Sequence, residues 1–183
     1  MIQASGVIPF FRNHNEENHV PIDPKTFLLV HVLLSLFGMF SGLVVVGSWI
    51  AGVRLPRWTG FFLATTVLTN ITGFGLPAAK ILPSHIVAVL SLVALSGAIV
   101  AMYWKRLEGG WRRTFIVLSV VALYLNVFVL VVQLLQKTPA LAALAPSPAA
   151  PVFAATQGIV LVLFAVLGWA AVKGFGAHRR SDA

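Results

Sequence analysis

The sequence predicts an all-α polytopic membrane protein with five transmembrane helices, its N-terminus outside and its C-terminus in the cytoplasm. Composition is the first reason. The chain is 58% hydrophobic and only 10% charged, with a mean hydropathy of +0.92, whereas soluble domains carry about 25% charged residues. The second reason is the stretch Thr26–Val53, which contains no formally charged residue. It exceeds the ~20 residues that cross a hydrocarbon core of roughly 30 Å as a helix. The third is that the basic residues fall between the apolar runs and favour every second link.

Taken in order, residues 1–25 form a polar extramembrane tail holding His14, Glu16, Glu17, His19, Pro21 and Pro24, with a short amphipathic piece expected around Val7–Phe11. The tail lacks a basic segment leading into a long apolar core, which argues against a cleavable signal peptide. Residues 26–173 form a single five-helix transmembrane domain. Its first span is Thr26–Val53. On that helix His31, Ser35, Gly38 and Gly42 fall within about 40° of one another, and Gly38-x3-Gly42 suits close approach of a second helix. A basic turn, Arg54–Trp58, leads to span two at about Thr59–Leu76, which closes on Gly73-Phe74-Gly75-Leu76-Pro77. Span three starts after Pro83, a favourable first-turn proline, and reaches about Trp104. The basic loop Lys105–Arg113 precedes span four, about Thr114–Gln136. A Pro- and Ala-rich loop with one helical turn, Thr138–Pro151, leads to span five at about Val152–Val172, expected to pack outside a compact bundle of the first four. Residues 174–183 are a basic cytoplasmic tail.

Orientation follows from charge. Arg54, Arg57, Lys105, Arg106, Arg112, Arg113, Lys173, Arg179 and Arg180 share one side, against Arg12, Lys25, Lys80 and Lys137 on the other. Nine against four makes the first side cytoplasmic. Trp49, Trp58, Trp104, Trp111 and Trp169 fall at the same ends of their spans, where amphipathic rings suit a membrane interface. The net charge of +8 is thereby a matter of topology, and nucleic acid is not an expected partner.

Several chemistries are excluded. Without cysteine there are no disulfides, thiolate metal sites, iron–sulfur clusters or covalently attached haem. No Asp, Glu, Lys or Arg lies within a span, which counts against ion-coupled transport. No nucleotide-binding glycine loop, HExxH motif or Ser–His–Asp set is present, so the chain is not expected to be an enzyme by itself.

What remains is polar material in the outer half of the membrane. His31 in span one and His85 in span three start at similar depth, and span two brings Asn70 to that level with Thr66, Thr69 and Gly73 nearby. Span four adds Asn126, Gln133 and Gln136. Three readings compete. In the first, His31 and His85 hold one b-type haem, with Asn70 and Gln133 tuning the ligands or a quinone carbonyl. In the second, His31, His85, His14 and His19 hold Cu or Zn at the periplasmic face. In the third, these groups only bind water, head groups or backbone. Tyr124 and Asn126 are expected to be interhelical hydrogen-bond partners.

The runs HVLLSLFGMFSG, TNITGFGLP, PSHIVAVLSL and ALYLNVFVLVVQ resemble small bacterial inner-membrane proteins with no assigned activity. The resemblance covers most of the chain and implies a multi-pass protein of the bacterial inner membrane. Paired helix histidines are also loosely similar to cytochrome b561-type haem proteins, which use four histidines for two haems. His31 and His85 would serve one at most. The combined expectation is a small membrane subunit with a histidine-lined outer-leaflet site, in its most concrete form a haem b subunit in quinone-linked electron transfer. The alternative is a non-catalytic accessory subunit that packs against other membrane-protein subunits of a larger respiratory-type complex. In both cases the lipid bilayer surrounds it.

Overall fold

Asp23 opens the first helix. Its carboxylate accepts hydrogen bonds from the backbone N–H groups of Lys25 at 3.2 Å and Thr26 at 3.3 Å, satisfying donors that the first turn leaves unpaired, and Pro24 supplies the preset φ of a first helical residue. Helix α1 therefore starts two residues before the expected span and runs Pro24–Ile50. The structure is a computed structural model that describes residues 23–76, 83–145, 147, 148 and 150–177. His14, His19, the expected amphipathic piece and His178–Arg180 lie outside the described residues.

The chain turns at Gly52, whose φ of 75° suits a residue without a Cβ. It continues as α2 (Pro56–Phe74), α3 (Pro83–Ile99) with a π-helical turn at Val100–Trp104, α4 (Trp111–Lys137), the short α5 (Pro139–Ala142) and α6 (Pro151–Ala177). No strand occurs among the described residues. Prolines at the first turns of α2 and α5 mark helix starts where a missing N–H costs nothing.

Among the described residues, four segments are long and apolar enough to cross a membrane: Pro24–Ile50, Pro83–Trp104, Trp111–Lys137 and Pro151–Phe175. Helix α2 differs from the uniform five-span expectation. At 19 residues it is about 28 Å long, but it carries five threonines, Asn70 and Arg57. Its hydroxyls mostly bond back to their own helix: Thr59 to Leu55 O at 2.9 Å, and Thr65, Thr69 and Thr72 to the carbonyls four residues earlier at 2.8 Å each. Such bonds blunt the cost of burying a hydroxyl.

Helix α2 packs on α1 and α3 and touches α4. Helix α3 packs on α4, and α4 on α1. Helices α1 and α3 therefore sit on a diagonal without contact between them. Helix α6 lies on α1 and α4 alone, outside the four-helix core as expected. The Gly38–Gly42 step faces α2: a Cβ at Gly38 would lie 3.3 Å from Thr66 Oγ1, and one at Gly42 would lie 2.8 Å from the Phe62 ring.

The core is aromatic where α1 ends. Trp49, 1% exposed, meets Phe115 edge-on at 5.2 Å and Phe175 at 5.8 Å. This corrects one expectation. Trp49 is not an interfacial ring, because α6 folds over it. Trp58, Trp104, Trp111 and Trp169 are exposed at that same end of the bundle.

Candidate functional site

At the end where α1 begins, the diagonal separation of α1 and α3 leaves a cavity of about 100 Å³. Its lining brings together all four residues expected to bind a cofactor: His31 from α1, Asn70 from α2, His85 from α3 and Gln133 from α4. Each comes from a different helix, so the site exists only in the assembled bundle. Thr69, Gly73, Ser91 and Asn126 complete its polar surface.

Local structure orients these side chains. The Thr72 hydroxyl hydrogen is engaged by its own helix, at 2.8 Å from Leu68 O and 3.1 Å from Thr69 O. Its oxygen lies 2.9 Å from His31 Nδ1. When the hydroxyl donates to its own helix, Thr72 accepts from Nδ1–H, the tautomer in which Nε2 keeps its lone pair. Gly73 lies alongside; a Cβ there would be in ordinary contact with His31 Cε1 at 3.4 Å. The His85 ring stacks on Phe74 at 5.5 Å, with 16° between the planes.

Deeper in, Asn70 is buried and its amide donates to Thr66 O at 2.7 Å and to Ser91 Oγ at 3.1 Å, tying α2 to α3. Asn126 has no such arrangement: its Nδ2 is buried and has no hydrogen-bond partner. Asn126 Nδ2 therefore makes no interhelical bond among the described residues, and Asn126 lines the cavity. Tyr124 packs instead against Phe128 and Phe164, with ring centroids 6.1 and 5.8 Å away. A buried amide hydrogen without an acceptor costs about 1–3 kcal/mol, so Asn126 is a donor awaiting an oxygen.

Below this level the bundle is tightly packed. A Cβ at Gly42 would come within 2.7 Å of Leu123 and 2.8 Å of Phe62, and Trp49 and Phe115 follow. The geometry is that of a blind polar site in one half of the bundle.

Sequence reasoning missed Thr72, Ser91 and the unpaired state of Asn126. Thr72 was within reach, because it lies two residues from Asn70 on a helix already assigned. The states of Ser91 and Asn126 depend on how α3 and α4 rotate about their axes. Gln136, expected on the same stripe as Gln133, does not line the cavity.

Among the described residues no group of three or more His, Asp or Glu side chains is arranged to hold a metal ion. His31 and His85 alone supply imidazoles to the cavity, and the proposed contributions of His14 and His19 lie outside the described residues. Two imidazoles from opposed helices match the donor set of haem b. The cavity as it stands, about 100 Å³, is smaller than the 300–1,000 Å³ of usual cofactor sites.

No protein-family model, curated protein or solved structure matches this chain.

Proposed function

We propose that the protein is a small five-helix subunit of the bacterial inner membrane that holds a quinone-type headgroup in its polar cavity and serves electron transfer in a larger complex. In this reading α2 is the fifth span, its hydroxyls turned back on its own carbonyls, and the nine basic residues on one side place the C-terminus in the cytoplasm. The cavity then opens in the outer leaflet.

One observation carries the reading. The cavity is lined by an imidazole whose Nε2 can accept a proton and by a buried amide that has no acceptor of its own. A quinol offers a hydroxyl to the first. A quinone carbonyl offers an oxygen to the second. The site is also lined partly by Leu76, Val87, Leu125 and Val129, as a ring requires. Because the cavity is smaller than usual cofactor sites, no step is assigned to haem.

The test is binding of a short-chain quinone to the detergent-purified chain, followed by quenching of tryptophan fluorescence, with absorption spectra and metal analysis on the same sample. Saturable binding that is lost in His31→Leu and Asn126→Leu, in a colourless metal-free protein, is the expected result. A Soret band that disappears in His31→Ala or His85→Ala would replace the quinone reading by the haem one. Stoichiometric Cu or Zn, lost when His14 and His19 are removed, would replace it by the metal reading.

A second reading has one observation in its favour. Only 17% of the most apolar window of α6 is buried, and a groove of about 280 Å³ runs between α4 and α6 past Val117, Val121, Leu161, Ala165 and Gly168. An accessory subunit would use such a groove for a partner's helix. Co-purification with larger chains, abolished by Ala165→Phe, would support that role.

A further inference from the structure

At the end of the bundle opposite the histidines, the link between α3 and α4 abandons regular helix. Val100–Trp104 is π-helical. Arg106 and Leu107 then adopt left-handed φ values of 48° and 59°, and Gly109 follows at 51°. Left-handed backbone costs a non-glycine residue about 1 kcal/mol or more, and two in succession need a structural reason. Part of it is Leu107, which packs partly buried against the core while its N–H donates to Ala101 O at 3.0 Å. The other consequence is where the neighbouring side chains go.

Arg106 from this link and Arg112 from the first turn of α4 lie beside Arg54 from the link between α1 and α2. Together with Leu107, Glu108 and Gly109 they line one cavity of about 220 Å³. The Arg54 guanidinium is held over the Phe175 ring at 4.8 Å, so α6 helps to place it. Three arginines, from two links and the start of α4, thus line one recess together with a single carboxylate residue, Glu108, the one described acid at this end of the bundle. The nearby ammonium groups are engaged elsewhere: Lys105 lies over Trp111 at 5.3 Å and Lys173 over Trp169 at 3.8 Å. A recess lined by three arginines and one carboxylate keeps an excess of positive charge and suits a phosphate, which accepts several charge-assisted hydrogen bonds at once.

We propose that this recess is a phosphate-binding site, taking its phosphate from an anionic phospholipid headgroup or from a free phosphate ion. Exposed Trp58, Trp104, Trp111 and Trp169 surround the same end of the bundle, which sets the recess at headgroup depth in a membrane-inserted protein. The site is independent of the histidine cavity and of whatever binds there.

The full chain, purified in a neutral detergent, is compared with an Arg106→Gln, Arg112→Gln double variant and with Arg113→Gln, a control that removes a charge beside Arg112 in the first turn of α4 without lining the recess. Circular dichroism verifies the helical fold of each. Native mass spectrometry after exchange into nanodiscs of mixed phosphatidylglycerol and phosphatidylcholine is expected to show preferential retention of phosphatidylglycerol by the wild type. That preference should fall about tenfold in the double variant and persist in Arg113→Gln. Absence of lipid preference, with inorganic phosphate raising the melting temperature of the wild type and not of the double variant, assigns the site to free phosphate. Glu108→Gln should tighten whichever binding is seen, because it removes the one carboxylate facing the anion. It also serves if the double variant fails to fold. No preference and no phosphate effect, an equal loss in Arg113→Gln, or weaker binding in Glu108→Gln would overturn the proposal.

Discussion

His31 Nδ1 and the Thr72 hydroxyl oxygen stand 2.9 Å apart, and the same hydroxyl lies 2.8 Å from Leu68 O of its own helix. Donation to that carbonyl makes Thr72 an acceptor for Nδ1–H and leaves Nε2 free. Thr72→Val keeps the shape and removes the acceptor. Nitrogen-15 NMR of labelled histidine should show His31 passing from a single neutral tautomer to a mixture. Quinone binding should weaken about fivefold, in keeping with one hydrogen bond of roughly 1 kcal/mol.

Asn126 links stability and function with opposite signs. Its Nδ2 is buried without a partner, so Asn126→Leu removes an unsatisfied donor while keeping most of the volume. Thermal unfolding in detergent should show a protein more stable by about 1 kcal/mol. The same variant should no longer bind quinone. A destabilised variant would mean that the amide is satisfied in the folded protein, for instance by an ordered water.

The two glycines of α1 should behave differently although they look equivalent in sequence. A Cβ at Gly38 meets threonine hydroxyls at 3.3 and 3.4 Å, whereas one at Gly42 meets Leu123 and Phe62 at 2.7 and 2.8 Å. Phe62 is fully buried and has nowhere to move. Gly42→Ala should cost about 1–3 kcal/mol by overpacking, and Gly38→Ala much less. Melting temperatures of the pair, measured side by side, check this.

Gly174 is the contact that docks α6. A Cβ there would collide with the carbonyl oxygens of Ile50 and Trp49, which are backbone and cannot rotate away. Gly174→Ala should push the end of α6 off α1 and separate Phe175 from both Trp49 and Arg54. A red shift of tryptophan emission, as Trp49 becomes solvated, reports the change. The quinone site, built by α1 to α4, should be unaffected.

Much of the fold was legible in the sequence. The apolar runs, the prolines at helix starts and the single turn after Thr138 are local features, and the observed helices agree with them to within a few residues. Trp49 was misplaced because its position at a span end is a local fact, whereas its burial depends on α6 more than a hundred residues later. Among the site residues, His31, Asn70, His85 and Gln133 could be matched in depth by counting along alternating helices. Counting along a helix says nothing of its neighbours, and so could not reveal that α1 and α3 are kept apart.

By itself, then, the sequence determined the helical class, the apolar runs that form the long helices, and the placing of His31 and His85 at one end with Arg54, Arg106 and Arg112 at the other. Hydropathy, capping and alternation act over short stretches of chain and leave a direct trace in it. Tertiary structure alone decided that His31, Asn70, His85 and Gln133 line one cavity, that Asn126 Nδ2 is left without an acceptor, and that Arg54 lines one recess with Arg106 and Arg112. Each depends on the rotation and spacing of helices about one another, set by contacts such as Gly42 on Phe62 and Gly174 on Ile50 between residues far apart in the chain.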